Sequence, residues 1–376
     1  MRVLFLNQFF PPDPAPTGLL LAEVAEELQR GGDSVDLVAA RQDYRGGQKQ
    51  RGRMRRELSA LARMLADGLR RPRADVVVSG SSPPCLLVVA TLLAWRHRAK
   101  SVHWAMDVYP EIAEALGEVR DGVFARVLRT LMGWCYRRAA LVVALDKDMA
   151  ERLRLHGVNA RLARPWVTGS RTQLTADGEV SPRRSSQAAP QPADSREPWT
   201  WLYSGNLGRA HEWETLLQAQ ALLEARGVPA RLIFQGGGPS WENAQSRAQE
   251  LQLRRCEWRD YAPKTELRES LLSAECCVVT QRPETRGLLW PSKLAVLLTL
   301  PRRILFVGPE EGAIATSLRS LRHAAVFAPG DAAEVAEWIE REMATPTAVA
   351  GSEIVDATAH RAASLGHWSG WMRELL

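Results

Sequence analysis

The run Tyr203-Ser204-Gly205-Asn206-Leu207-Gly208-Arg209 gathers two glycines, an amide and a guanidinium into seven residues. The apolar pair Trp201-Leu202 ahead of it reads as a strand, and the stretch from Glu212 as the start of a helix. A loop of that kind aims backbone N–H groups, a helix N-terminus and a cation at one point, which is the chemistry of phosphate binding. An ordinary strand-to-helix turn has the same form, so a second occurrence matters. Gly287-Leu288-Leu289-Trp290-Pro291-Ser292-Lys293 sets another glycine and another cation before another helix. Arg209 can hold two phosphate oxygens with its planar fork, whereas Lys293 acts as a point charge. Gly236-Gly237-Gly238-Pro239, after the apolar run Leu232-Ile233-Phe234, is a further glycine turn leading into a helix.

The elements that must carry these loops follow from the hydrophobic pattern. At 376 residues the chain exceeds what one core supports, and ~150 residues per domain points to two. Short apolar runs at Val3 to Leu6, Val35 to Val38, Val76 to Val78, Val102 to Met106 and Leu141 to Leu145 alternate with helical patterns. That alternation predicts an α/β fold with a parallel sheet covered on both faces. Between Thr168 and Pro198 large apolar residues almost vanish, which marks a linker or disordered insertion. The alternation resumes with strand centres at Leu202, Leu232 to Phe234, Cys256 to Trp258, Cys276 to Val279 and Ile304 to Val307. The expected organisation is an N-terminal Rossmann-like domain over 1–167, a linker over 168–198, a second Rossmann-like domain over 199–361 and a final helix over 362–376. In such doubly wound sheets ligands meet the loops beyond the strand C-termini.

With Leu4-Phe5-Leu6-Asn7-Gln8-Phe9-Phe10-Pro11-Pro12-Asp13 and Trp104-Ala105-Met106-Asp107-Val108-Tyr109-Pro110-Glu111, these segments fall in one familiar order. Over nearly the whole chain the sequence resembles the retaining glycosyltransferases of family 4, above all the bacterial sugar transferases of capsule, exopolysaccharide and O-antigen lipopolysaccharide assembly. The resemblance implies the GT-B architecture, two doubly wound domains facing a cleft, with the last helix crossing back to the first domain. It implies a nucleotide-sugar donor, with the polysaccharide branch favouring UDP, a lipid-linked or glycan acceptor, and no cofactor or metal. Arg209 and Lys293 would stabilise the departing diphosphate, and Asp107 would orient the acceptor hydroxyl or take its proton. Glu111 and His103 are the next candidates for that task, and a helix cap is the structural alternative for Asp107. Gly18, Gly205, Asn206, Gly208, His211, Gly236, Gly237, Tyr261, Gly287 and Ser292 would border the donor. Gly18 would let backbone approach the phosphate or sugar, and Trp258 is either a base neighbour or a core residue.

The departures from the family pattern are equally specific. Many members carry two glutamates eight positions apart in the second domain, against the donor sugar and the ribose. Here the residue before Gly287 is Arg286, the stretch Leu294-Ala295-Val296-Leu297 holds no acid, and Glu284 is displaced by two positions. Either the sugar is held differently or part of the activity is lost. A nucleotide-sugar epimerase on the same fold and a non-catalytic partner of another transferase therefore remain open. Asp146-Lys147-Asp148 spells Asp-x-Asp but most simply begins a helix, and no metal is assigned to it.

Composition narrows the setting. Five cysteines without Cys-x-x-Cys spacing read as buried small hydrophobes of a reducing cytoplasm. The N-terminal apolar run is broken by Asn7, Gln8, Pro11 and Pro12, which fits a first strand better than a signal peptide. Cys85 to Trp95 falls short of the ~20 residues a membrane span needs. Net charge is +6, with arginines and one lysine concentrated over 41–73. There Met54, Leu58, Leu61, Met64, Leu65 and Leu69 recur at helical spacing, giving an apolar face with a basic flank. Such a helix suits an anionic membrane surface or packing on its own domain. Without interleaved aromatics beyond Tyr44 it does not suit nucleic acid.

Overall fold

The computed structural model describes residues 1–40, 53–169, 198–263, 265–345 and 354–376. The chain forms two compact units: Met1–Thr168 with Glu284–Ser292 and Thr358–Leu376, and Gly169–Pro283 with Lys293–Ala357. Nearly all of the expected linker, and the basic residues over 41–52, lie outside the described residues.

In the first unit the strands β1 (Arg2–Leu6), β2 (Ser34–Val38), β3 (Val76–Ser79), β4 (Lys100–Ala105), β5 (Leu141–Ala144) and β6 (Arg161–Leu162) form one sheet in the order β2-β1-β3-β4-β5-β6. Every pair is parallel. Strand alternation divides the apolar side chains between two faces. Val3, Phe5, Val76, Val78, Val102 and Trp104 join one core with Leu20, Leu21 and Val24 of the helix Pro16–Arg30. Leu4, Leu6 and Val77 join the other with Ala60 and Met64 of the helix Arg53–Arg70 and Leu86 and Leu93 of the helix Leu86–His97.

The helix Arg53–Arg70 resolves the choice left by its sequence into two parts. Ala60 and Met64 are buried, and a Cβ on Gly68 would lie 2.5 Å from Leu93, so this line packs on its own domain. Met54, Leu58 and Leu69 are exposed.

The final helix spans Ala357–Glu374, starting before the expected residue 362. Its Trp368 ring lies 4.7 Å from that of Trp104, which also stacks on Trp166 at 5.5 Å. The buried Glu23 carboxylate accepts from Trp166 Nε1 at 2.7 Å and from Arg361 Nε at 2.8 Å. Residues 357–361 carry few apolar cues, and Arg361 finds its partner only after the chain has folded.

In the second unit β7 (Trp199–Asn206), β8 (Ala230–Gly237), β9 (Cys256–Arg259), β10 (Cys276–Thr280), β11 (Arg303–Val307) and β12 (Ala324–Phe327) run parallel in the order β12-β11-β10-β7-β8-β9. Trp201, Tyr203, Leu232, Phe234, Val278 and Leu305 fill its core. Trp258 stacks on Phe234 at 4.6 Å, so core packing is its role. All five cysteines are free thiols. The contiguous second domain expected over 199–361 is interrupted: Glu284–Ser292 belongs to the first unit. Leu288 is buried in that unit's core, and its carbonyl accepts from Val108 N at 2.8 Å.

Candidate functional site

In the second unit the exits of β7 and β8 meet. Gly205 pairs with Gly236 and Asn206 with Gly237 in register. The two backbones are so close that a Cβ on Gly236, at φ +142°, would stand 2.2 Å from the Gly205 carbonyl oxygen. Gly238, at φ +132°, would place a Cβ 2.4 Å from Asn206 Oδ1. Only glycine tolerates such positions. The Tyr261 ring covers this pair, 3.3 Å from Cβ positions built on Gly236 and Gly237, and it is partly open to solvent. Gly208 lies against the Asn206 and His211 side chains. Arg209 is exposed on the same loop.

Lys293 reaches this loop from its own helix. A Cβ on Gly205 would lie 3.6 Å from its Cε and 3.7 Å from its Nζ. The ammonium sits 3.3 Å above the centre of the Tyr203 ring. Part of the side-chain stem is exposed, but Nζ itself is shut off from solvent and has no hydrogen-bond partner. Burial holds its pKa well below the ordinary lysine value. The ring's negative face offsets some of that cost. Tyr203 in turn donates its hydroxyl to the Asn206 carbonyl at 2.9 Å, which braces the loop.

His211 Nδ1 lies 2.8 Å from the Thr280 carbonyl, an acceptor, so Nδ1 carries the proton and Nε2 presents a lone pair. Burial, and then the Lys293 charge, push its pKa down to about 3. The ring is therefore neutral and suits a hydroxyl donor better than a phosphate oxygen. The helix expected near Glu212 begins at Glu214, with the Glu212 carboxylate accepting from Thr215 N at 3.0 Å. The helix after Ser292 is only Lys293–Leu297, too short to bring much of a dipole.

In the first unit Asp107 follows β4. Ser81 Oγ accepts from the backbone N–H groups of Met106 at 2.7 Å and Asp107 at 3.1 Å, fixing the turn. Asp107 forms an antiparallel bridge with Leu289. Burial raises its carboxyl to about 6. The carboxylate caps no helix: the helix Glu111–Ala115 has Pro110 at its N-cap, with no side-chain cap bond. The other candidates there are occupied. Glu111 pairs with His156 at 2.7 Å. His103 is buried, bonds to Ser79 Oγ at 2.9 Å, and is pushed down to about 3 by burial.

At two glycines expected beside the donor, the space of a Cβ is taken by the chain itself. A Cβ on Gly18 would stand 2.3 Å from the Phe9 carbonyl oxygen, so this glycine lets the loop after β1 close on its helix. Gly287, at φ +70°, backs onto Asp148, whose carbonyl oxygen would be 2.8 Å from an added Cβ. Ser292 is exposed and belongs with Gly287 to the first unit, whereas Lys293 begins a segment of the second. Asp146 caps the helix Lys147–Arg154 by accepting from Met149 N at 2.8 Å, and Asp148 pairs with Arg286 at 3.4 Å.

Sequence reasoning missed Tyr203, Ser81 and Gln235. Gln235 Oε1 accepts from Ser204 at 3.2 Å and Ser270 at 2.9 Å, tying β8 to the end of β7 and to the helix Leu267–Leu272. Tyr203 had a signal, an aromatic two residues before the loop glycine. Ser81 had none, because its partners lie in the turn after β4, some 25 residues away.

Two parallel six-stranded sheets carrying their loops in this way define a protein of the GT-B class, made of two Rossmann-like units. Residues 18–165, within the first unit, match the family model of the Glycosyl transferase 4-like domain. "Probable glycosyltransferase WbjE" of Pseudomonas aeruginosa is 28% identical over 249 residues, 65% of this chain. The matched region spans 60% of that relative's length. Among solved structures, sucrose-phosphate synthase of Thermosynechococcus elongatus superposes with a TM-score of 0.67 at 15% identity, covering 100% of this chain and 99% of its own. Anabaena Alr3699/HepE, solved with UDP and glucose, superposes with a TM-score of 0.67 at 13% identity over the full length of both chains.

Proposed function

We propose that this chain is a glycosyltransferase that moves a sugar, with retention at the anomeric carbon, from a UDP-sugar to a lipid-linked or glycan acceptor of cell-surface polysaccharide assembly. The observation that carries the reading is Lys293. A dry ammonium without a hydrogen-bond partner, held on an aromatic ring beside Gly205, is costly unless an anion arrives to match it. A diphosphate meets that need, and an aimed, desolvated cation stabilises charge growing on a leaving group better than a hydrated one. Arg209 adds a second cation from the same loop, Tyr261 offers a face to the base, and neutral His211 offers its lone pair to a sugar or ribose hydroxyl. Asp107, with its raised pKa, serves the acceptor hydroxyl.

The resemblance to WbjE and to HepE with UDP and glucose supports the donor class. Titration calorimetry with UDP-glucose and GDP-mannose, followed by a UDP-release assay with Lys293→Ala, tests it. The expected result is UDP-sugar binding by the parent chain and no turnover in the variant. Full turnover by Lys293→Ala would end the proposal, and binding without turnover in the parent would transfer the chain to a non-catalytic role.

A further inference from the structure

We propose that one exposed face of the first unit docks on an anionic lipid bilayer, and that this face is built chiefly by the helix Val123–Arg138. Val123, Phe124, Val127, Leu131 and Trp134 recur on this helix at three- and four-residue spacing, so they line one side of it. All five are exposed, Phe124 at 64% and Val127 at 60%. The opposite side, with Ala125, Met132, Gly133, Cys135 and Tyr136, is buried. The helix Leu86–His97 packs alongside. It adds Leu92 and Trp95, the latter 81% exposed. Scattered apolar residues on a surface need no explanation, but seven large ones on two adjoining helices do.

Charge identifies the occupant. Neither helix contains a single acidic residue. Arg96, Arg98, Arg126, Arg137 and Arg138 are exposed in or beside them. The Arg138 guanidinium carbon lies 5.2 Å from the Trp134 ring centre, keeping a cation beside the apolar row. The acids beside the row, Asp121 and Glu114, are paired with Arg129 at 3.0 Å, which leaves an aliphatic and aromatic row with an excess of arginines. That combination matches the interface of an anionic leaflet, where rings and methyls sink below the headgroups and guanidinium groups meet phosphates. A protein partner of ordinary composition has no such uniform demand for arginine. Among the described residues no helix is long and apolar enough to cross a membrane, so attachment is to the surface. This face includes none of the residues assigned to the donor or acceptor, and the inference stands without turnover.

The test is co-sedimentation of the full chain with vesicles of phosphatidylglycerol and phosphatidylcholine, and of phosphatidylcholine alone, at about 0.15 M salt. The parent chain is expected to partition onto the anionic vesicles only. Trp95→Ser with Phe124→Ser should lower that partition at least ~10-fold, and Arg126→Gln about fivefold, with unchanged circular dichroism and melting temperature. No partition of the parent chain, equal partition onto neutral vesicles, or undiminished binding by the folded double variant each overturns the proposal. So does sedimentation of the lipid-free chain as a dimer that Phe124→Ser dissociates, because a second copy would then be the occupant.

Discussion

Lys293→Met separates the site's function from its stability, because the two should move in opposite directions. Methionine keeps the length of the side chain and removes the charge. A buried polar group without a partner costs ~1–3 kcal/mol, and an aromatic face returns ~0.5–2 kcal/mol of that to a desolvated cation. Removing both leaves a net gain of about 1 kcal/mol for the free protein. For a unit of this size that gain raises the melting temperature by ~2–4 °C. Loss of a preorganised partner for the leaving diphosphate costs ~10²–10³ in kcat. The stability gain also has a definite pH dependence. Burial holds the folded-state pKa of Lys293 below the ordinary lysine value of 10.5, so over that window the unfolded chain binds the extra proton. Parent stability therefore rises with pH toward 10.5, and the advantage of the methionine variant shrinks. Thermal melts at neutral pH and near 10, with UDP release from UDP-glucose, read both effects. A variant that melts several degrees lower, or turns over within a factor of three of the parent, would show that Lys293 is a packing residue.

The remaining expectations use the same measurements. Between the ordinary aspartate value of 3.8 and about 6, Asp107 stays protonated in the folded chain only, so stability should fall as pH rises through that window. Asp107→Asn should flatten this dependence in urea melts and remove the acidic limb of the rate profile near 6. Gly236→Ala drives a Cβ to 2.2 Å from a carbonyl oxygen at a forbidden φ, and should cost ~2–4 kcal/mol. Gly237→Ala meets only the Tyr261 ring at 3.3 Å, and should weaken UDP binding with little loss of stability. Arg209→Ala, on an exposed loop, should leave stability within ~0.5 kcal/mol while lowering donor turnover ~10²-fold or more.

The architecture was legible because fully buried parallel strands announce themselves as short apolar runs, and both sheets have them. The loop from Gly205 to Arg209 was legible because a glycine turn and a cation are local features. What stayed hidden depends on distant partners. Glu284–Ser292 reads as a loop entering a helix, and nothing in its nine residues says that it belongs to the first unit, where Leu289 pairs with Asp107. Gly18 and Gly287 were recognised as positions needing glycine, but sequence does not tell whether a ligand or the protein's own backbone takes the space. The apolar row on Val123–Arg138 was concealed for another reason: the helix buries small or sparse side chains, so its exposed face is the more hydrophobic one.

Arg286 bears on the gravest doubt raised by the sequence, the missing acid ahead of Gly287. Its guanidinium faces the Asp148 carboxylate through two contacts of 3.4 Å, and its carbonyl accepts from Arg152 Nε at 3.4 Å. Gly287 backs onto the same helix turn. A glutamate at 286 would set two carboxylates against each other, so arginine here answers a local demand made by Asp148. Arginine at 286 thus has a structural partner of its own, and restoring the acid is expected not to raise turnover. Arg286→Glu is expected to destabilise the first unit by ~1 kcal/mol through like-charge contact. Asp148→Asn in the same chain should recover most of that loss. If Arg286→Glu instead raised UDP-sugar turnover while leaving stability unchanged, the pairing with Asp148 would be incidental and the position would belong to the donor sugar after all.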